Sequence, residues 1–342
     1  MDLYIHLTFN LKKIIFWEND FEKIFFYKEV KMLYLKKEVV KRYEKNPILS
    51  PDDFPYEVSG IYNSGVTKYK DKYIMLCRVE SIDITNYFFV AESNDGYNFK
   101  VRKEPIKVEG LTEDYYIYTA EMIYDPRITL IEGTYYITFA AHSSYGVRIG
   151  MMKTNDFEKF EWVDFISEVD NRNCVLFPEK INGYYVRLDR PIIPGDHGDI
   201  WISYSPDLIH WGKSKCILRH GTHGGWNWLK IGAGAPPIKT KEGWLEIWHG
   251  VHMMCKAQYV YHLGVMLLDL NDPSKIIAKA KAPILSPKMD YERIGLTYNV
   301  VFTSGAILEE NGEVKIYYGG ADTYQCLATA KLEDLIDACY NR

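Results

Sequence analysis

Short apolar β-runs alternate with polar turns along the chain, and one pattern of them recurs five times. In each repeat, a run rich in β-branched and aromatic residues leads through a short polar turn to a second such run. The turns carry Lys-Asp-Lys, Glu-Gly or Asn-Gly, and Asn-Gly between β-runs is a strong signal for a hairpin. The repeats begin at Gly65, Asp125, Leu176, Gly234 and Ser304. The pattern therefore predicts five β-hairpins.

A second pattern follows each hairpin: a strand, a polar turn and often an aromatic return, as in FFVAESNDGYNFK and IGMMKTNDFEKFEW. Together the two patterns make one four-stranded antiparallel unit, which recurs at intervals of about fifty to seventy residues, the length of a propeller blade. A two-sheet sandwich also uses hairpins, but it does not explain the ordered alternation of two patterns. We therefore predict an all-β fold, a single five-bladed β-propeller over residues 32–342. Helices should be few, with candidates near the N-terminus and in Leu332–Tyr340.

Residues 1–31 are predicted to form an N-terminal arm or extension. The stretch is rich in Ile and Phe, but charged residues such as Lys12, Lys13 and Glu18 interrupt it before a signal-peptide core could form. Two interpretations stay open: a packing arm or helix, or translated sequence upstream of a true start at Met32. An intact-mass measurement on protein made from the native gene separates them.

Composition and charge narrow the class of protein. With 47% hydrophobic and 25% charged residues, the chain has the balance of a soluble globular protein with a substantial core. Its 41 basic and 46 acidic residues are interspersed and leave no basic stripe for a nucleic-acid backbone.

The six cysteines form no C-x-x-C pair, so we expect reduced thiols and a cytoplasmic location. No apolar run approaches the roughly 18 residues needed to cross a bilayer, so we expect no membrane partner. The apolar arm is compatible with a homo-oligomer.

Cations gather at the ends of the repeats although the whole chain is acidic. In a propeller the inner strands line a central channel, and ligands bind in such concave mouths. Several cations placed together cost electrostatic energy unless an anion offsets them, so an anionic ligand is expected. Asp125, which precedes Pro126 at a strand start, could serve as a general acid if burial raises its pKa. The charged residues at the repeat ends are Arg78, Glu80, Asp125, Arg127, His142, Arg148, Lys180, Arg187, Arg190, His249 and Asp322.

Several long motifs, in order, resemble the β-mannoside phosphorylases of glycoside hydrolase family 130. They are YDPRIT from Tyr124, GVRIG from Gly146, LFPEKING from Leu176, SPDLIHWG from Ser205, KIGAGAPPIKTKEGW from Lys230 and YYGGADT from Tyr317. The resemblance spans the chain from about Lys45 onward. It implies a five-bladed propeller that phosphorolyses β-1,4- or β-1,2-linked manno-oligosaccharides or mannosyl-glucose, with inversion, to α-mannose 1-phosphate. It implies no cofactor, with inorganic phosphate as co-substrate.

The resemblance also implies roles for particular residues. Asp125 corresponds to the family's catalytic acid, which protonates the glycosidic oxygen through the mannose 3-hydroxyl while phosphate attacks from the opposite face. Phosphate is already an anionic nucleophile, so a phosphorylase needs cations where an inverting hydrolase needs a second carboxylate as base. We assign phosphate binding to Arg148, Lys180, Arg190 and His249. We assign mannose recognition to Asn63, Arg78 and Asp322, with Tyr124 and Asn299 as further candidates.

Two alternative functions and one loop stay open. A β-mannosidase on the same fold is the nearest alternative, and a non-catalytic carbohydrate-binding propeller is a remote one. In the loop from Arg219 to Trp228, His220 and His223 have no partnering carboxylate or thiol spacing, so we expect no metal. Trp226 and Trp228 are predicted to form a mobile wall of the acceptor subsite. Linkage and chain-length preference do not follow from the sequence.

Overall fold

The computed structural model describes residues 11–18, 21–28 and 39–341, which belong to two compact units, Met1–Lys36 and Lys37–Arg342. In the first unit, β1 (Leu11–Glu18) and β2 (Phe21–Lys28) pair antiparallel in one continuous register. A helix in this arm was therefore a wrong alternative for the described residues. The candidate start at Met32 lies outside them.

The second unit is all-β, as predicted, and its strands fall into five mainly antiparallel segments. Segment 1 contains β4 (Val58–Ile61), β5 (Gly65–Tyr69), β6 (Lys72–Ser81), β7 (Asn86–Ser93) and β8 (Lys100–Val101). Segment 2 contains β9 (Val108–Glu109), β10 (Met122–Ile131), β11 (Thr134–Ser143), β12 (Gly146–Thr154) and β13 (Phe160–Phe165). Segment 3 contains β14 (Asn171–Leu176), β15 (Tyr185–Ile193), β16 (His197–Gly198), β17 (Ile200–Ser205) and β18 (Gly212–Leu218). Segment 4 contains β19 (Lys230–Ala233), β20 (Ile238–Lys239), β21 (Trp244–Met253), β22 (Tyr259–Leu268) and β23 (Ile276–Lys279). Segment 5 contains β24 (Val301–Leu308), β25 (Glu313–Gly320), β26 (Tyr324–Lys331) and β3 (Lys41–Arg42).

The predicted hairpins are present as the pairs β5–β6, β10–β11, β14–β15, β20–β21 and β24–β25. Short β16 pairs with both β15 and β19, and it joins segments 3 and 4 into one ten-stranded sheet. Strand β3, from the start of the unit, pairs with β26 near its end. The outermost strand of segment 5 therefore comes from the opposite end of the unit.

We call β5, β10, β14, β19 and β24 the first strands of the five segments, and their contacts run in a cycle that β21 completes. Strand β5 contacts β10 and β24, β10 contacts β14, β14 contacts β19, and β24 contacts β21 of segment 4. The hydrophobic core lies between neighbouring segments: Met75 of β6 shares a cluster with Tyr317 of β25, and Ile74 of β6 shares another with Phe139 of β11. Strands such as β6 are therefore apolar on both faces, as is typical of a sheet covered on two sides.

Helices are few. They are α1 (Glu113–Tyr118), α2 (Asp290–Arg293) and α3 (Leu332–Tyr340), with 3₁₀ turns at Pro51–Asp53 and Cys255–Ala257. The predicted C-terminal helix is confirmed as α3, which buries Leu335 and Ala338 and ends at Asn341 in the left-handed conformation that often closes a helix. Over the described residues, no helix has both the length and the apolar character needed to span a bilayer.

Candidate active site

A cavity of about 290 Å³ is lined by residues from all five segments. The cavity contains both negatively and positively charged side chains, and its aromatic walls are Tyr62, Tyr124, Tyr261 and Phe302. Because each segment contributes, the cavity lies where the segments converge. Its charged lining residues are Arg78, Glu80, Asp125, Arg172, Arg190, Lys230 and Asp322.

Asp125 enters the cavity from a β-bulge in β10. The register to β11 shifts by one residue between Tyr124 and Arg127, and Asp125 takes a positive φ of 55°. Such bulges redirect side chains and are common next to active sites. The Asp125 residue is only 7% exposed, and its Oδ1 accepts a hydrogen bond of 2.9 Å from Asn63 Nδ2. Sequence reasoning placed Asp125 in the cavity, but the bulge that aims it there has no sequence signature beyond the following proline.

Arg127 fixes the backbone of Asp125 through hydrogen bonds to carbonyl oxygens. This arginine is 1% exposed and donates to the carbonyl oxygens of Asp125 at 2.8 Å and Gly234 at 2.9 Å. Burial lowers the pKa of the Arg127 guanidinium, and the charge of Asp125 opposes that shift. Arg127 therefore fixes the acid to segment 4 without entering the cavity itself.

Three cations meet on another side of the cavity: Arg172 of β14, Arg190 of β15 and Lys230 of β19. Neither arginine has a carboxylate partner among the described residues, and the buried Nε atom of each lacks a hydrogen-bond acceptor. Burial, followed by the charge of Arg172, lowers the pKa of Arg190 to about 10, so Arg190 stays charged at neutral pH. Two guanidinium groups with unused donors form a site suited to an oxyanion.

His249 lies behind Arg190 and is fully buried. Arg190 Nη1 donates to His249 Nε2 at 3.2 Å, which requires a neutral ring nitrogen as acceptor. Burial lowers the pKa of His249 well below its usual value, and the neighbouring charge of Arg190 acts in the same direction. His249 therefore orients Arg190 and adds no charge of its own.

Most of the residues assigned to mannose share the cavity with these cations. Asn63, Arg78, Tyr124 and Asp322 all line the cavity. The Arg78 guanidinium stacks 3.5 Å from the centre of the Tyr62 ring and pairs with Glu80 at 3.4 Å. Burial raises the pKa of Asp322 to about 6, and the charge of Asp125 adds to the rise. Asn299 does not line the cavity; its carbonyl oxygen accepts from the Tyr261 backbone at 3.0 Å.

The structure does not bring Arg148 or Lys180 into the cavity, and we correct their assignment to phosphate. Arg148 Nε donates to the Ser167 carbonyl, and its guanidinium packs against Tyr118 and Phe165. Lys180 lies in the turn between β14 and β15, where it pairs with Glu132 at 3.1 Å. Both cations are satisfied by local partners.

Sequence reasoning missed Arg172 and Lys230. Arg172 comes four residues before LFPEKING, beside a bulge in β14 that gives Asn173 a φ of 55°. Lys230 opens the motif KIGAG. The signal that could have found them is position: each stands at the start of a strand that begins a segment, as Asp125 nearly does.

In the loop from Arg219 to Trp228, Trp226 and His220 have partners outside the cavity, and the acceptor-subsite wall stays a prediction. Trp226 stacks on Trp248 at 4.8 Å and donates to the Lys281 carbonyl, so it packs against segment 4 and is not a wall of the cavity. His220 has a carboxylate partner after all, Asp199, at 2.7 Å. Within residues 39–341 no group of three or more His, Cys, Asp or Glu side chains is arranged to hold a metal ion.

A buried acid, neighbouring polar side chains and two arginines without carboxylate partners among the described residues line one cavity of an all-β protein, an arrangement suited to an enzyme active site. Comparison with known families agrees. The family model described as β-1,4-mannooligosaccharide phosphorylase, glycoside hydrolase family 130, matches residues 34–341. The chain belongs to this family of glycosyltransferase-type phosphorylases, as its motifs indicated.

Named relatives cover nearly the whole second unit. A β-1,4-mannooligosaccharide phosphorylase of Ruminococcus albus is 35% identical, over 88% of this chain and 91% of its own length. A β-1,2-mannobiose phosphorylase of Thermoanaerobacter is 37% identical, over 85% of this chain and 97% of its own. The solved complex of the Listeria innocua β-1,2-mannobiose phosphorylase with β-1,2-mannobiose has a TM-score of 0.79 at 30% identity, and it covers 89% of this chain and 99% of that one.

Proposed function

We propose that the protein is an inverting phosphorylase that cleaves β-mannosides with inorganic phosphate and releases α-mannose 1-phosphate. One observation carries the proposal: Arg172, Arg190 and Lys230 converge in the same cavity as the buried Asp125. Cations placed beside an acid suit an anionic nucleophile, whereas an inverting hydrolase needs a carboxylate base in that position. The names of the relatives support the same reaction.

We infer that the five segments are the blades of a propeller and that the cavity lies on its axis. The cyclic contacts of the first strands support this arrangement, and so does the pairing of β3 with β26, which would close the ring. A closed ring removes the exposed sheet edges that an open sheet would present.

In the proposed reaction, Asp125 supplies the proton that the glycosidic oxygen takes up as its bond to the anomeric carbon breaks. The proton passes through the 3-hydroxyl of the mannose, and Asn63 holds the carboxyl group in place through its 2.9 Å hydrogen bond. Phosphate, held by the three cations, forms the new bond to the anomeric carbon from the opposite face. Inversion of the β-linkage gives the α-phosphate.

The remaining lining residues would recognise the mannose ring. Arg78 and Asp322 line the cavity and offer a donor and an acceptor. No cofactor is needed, because phosphate is a co-substrate and the acid is a side chain. All six cysteines are free, in keeping with a reaction in the cytoplasm.

The experiment is to incubate the protein with β-1,4-mannobiose, β-1,2-mannobiose and mannosyl-glucose, each with and without phosphate. We expect mannose 1-phosphate only with phosphate, and the disaccharide consumed fastest identifies the linkage. Asp125→Asn is the matched control, since it keeps the shape of the side chain but has no proton to give. Free mannose appearing equally in both conditions would establish a β-mannosidase instead.

A further inference from the structure

A three-residue hairpin tip, Pro194 to Asp196, connects β15 to β16 beside the three cations. Ile193 and His197 close the hairpin, while Gly195 and Asp196 take left-handed φ values of 86° and 59°, which tight hairpin loops require. The tip follows Arg190 on β15, and β16 leads to Gly198, which pairs with Lys230 of β19. The same short strand that joins two segments therefore places Asp196 beside the cations.

Asp196 forms an ion pair with Lys230, and the two partners differ in their environment. The distance from Asp196 Oδ2 to Lys230 Nζ is 2.5 Å. The Lys230 side chain is 9% exposed and its Nζ lies 4.6 Å from the centre of the Tyr259 ring, whereas the Asp196 side chain is 45% exposed. Asp196 also hydrogen-bonds to Tyr259, and its charge reaches Arg190. The carboxylate thus approaches the cation cluster from its solvent side.

The role of Asp196 follows from the net charge of the cation cluster around it. Among the described residues, Arg172 and Arg190 have no carboxylate partner, so the cluster consists of three cations against Asp196. Two positive charges remain, the charge that hydrogen phosphate dianion would neutralise. An anion bound at Lys230 would lie close to Asp196, and the repulsion between them would weaken its binding.

We propose that Asp196 is a positioning residue for Lys230 that also sets the charge of the phosphate site. It holds Lys230 in the cavity when no anion is bound, and its charge keeps the affinity for phosphate low enough for a sugar phosphate to leave. The inference rests on the proposed function for the identity of the anion. Asp196 takes no part in proton transfer.

The test measures the binding of inorganic phosphate by calorimetry for the wild type, Asp196→Asn and Glu179→Gln. Glu179 pairs with Lys239 at 2.6 Å on the exposed surface, away from the cavity, so its change also removes one negative charge and releases one lysine. We expect Asp196→Asn to bind phosphate about tenfold more tightly at low salt, an advantage that shrinks as salt screens the charges. We expect Glu179→Gln to match the wild type and Asp196→Glu to return most of the way to it.

The outcomes separate the two proposals. Unchanged or weaker phosphate binding by Asp196→Asn, with the thermal unfolding of the variant intact, would overturn the role of Asp196 alone. Failure of the wild type to bind phosphate at all would overturn both proposals. Tighter binding by Asp196→Asn with no mannose 1-phosphate from any variant would reject the proposed reaction and leave the role of Asp196 standing.

Discussion

Asp322→Asn is expected to change how the stability of the protein depends on pH. Burial raises the pKa of this carboxyl group to about 6, against about 3.9 for aspartate in an unfolded chain. A group whose pKa is raised in the folded state contributes stability that is fully present below the unfolded pKa and is lost as pH rises through the folded pKa. The native protein should therefore lose free energy of unfolding between about pH 4 and pH 7 through this residue.

The size of the loss follows from the shift. Two pKa units correspond to about 3 kcal/mol, and because the Asp322 residue is partly open to the cavity, screening by solvent reduces this to about 1–3 kcal/mol. The asparagine mimics the protonated acid at every pH, so the variant lacks the pH-dependent part of the free energy of unfolding that Asp322 supplies.

The assay is urea unfolding followed by tryptophan fluorescence at a series of pH values. Subtracting the variant from the wild type removes the contributions of titrating groups that do not interact with Asp322, such as buried Glu246, whose pKa burial also raises. We expect the difference in free energy of unfolding to fall with rising pH and to level off above about pH 7. A difference that stays constant from pH 4 to pH 7 would refute the reasoning and place Asp322 in a solvated setting.

Three further predictions concern the cavity and its support. Asp125→Asn should lower kcat for mannose 1-phosphate formation by about 10³-fold or more while urea unfolding changes little, and retention of substantial turnover would reject its role as acid. Arg172→Met should raise the KM for phosphate at least tenfold, because about 1.5–3 kcal/mol of charged hydrogen bonding is lost. Lys180→Met should leave the KM for phosphate unchanged. Equal effects of the two substitutions would contradict the placement of the phosphate site. Arg127→Lys should cost about 2–4 kcal/mol of stability, because buried carbonyl oxygens of Asp125 and Gly234 lose their donors. It should also lower kcat more than it alters the KM for phosphate. An unfolding curve like that of the wild type would show that Arg127 does not hold the acid.

The five hairpins could be predicted because their signals are local. A turn such as Asn182-Gly183 between β-branched runs specifies a hairpin without help from the rest of the chain. The N-terminal arm offered no such signal: its strands β1 and β2 are joined by Asn19-Asp20, which carries no glycine. The pairing of β3 with β26 was equally out of reach, because it joins residues almost three hundred positions apart.

The sequence predicted that cations line the site, but it identified only some of the residues that supply them. Arg190 was assigned to phosphate and lines the cavity, and His249, also assigned to phosphate, lies against it as a neutral ring. A count of charges at strand ends does not tell which face a side chain takes. Arg148 is on β12, the third strand of its segment, and packs between aromatic rings. In β14, the bulge between Arg172 and Val175 shifts the alternation, so that a period of two assigns the wrong face.

The choice between phosphate and water as nucleophile depends on which groups face the anomeric carbon opposite Asp125. Hydrolysis with inversion would need a carboxylate there that is free to accept a proton from water. Arg172 and Arg190 line the cavity together with Lys230, and the carboxylate paired with this cluster, that of Asp196, already accepts from Lys230 and Tyr259. A carboxylate that shares its charge with a buried ammonium group is a poor base, since taking up a proton would break the ion pair. The same contact that tunes the charge of the anion site therefore makes Asp196 unsuited to act as the base of a hydrolysis.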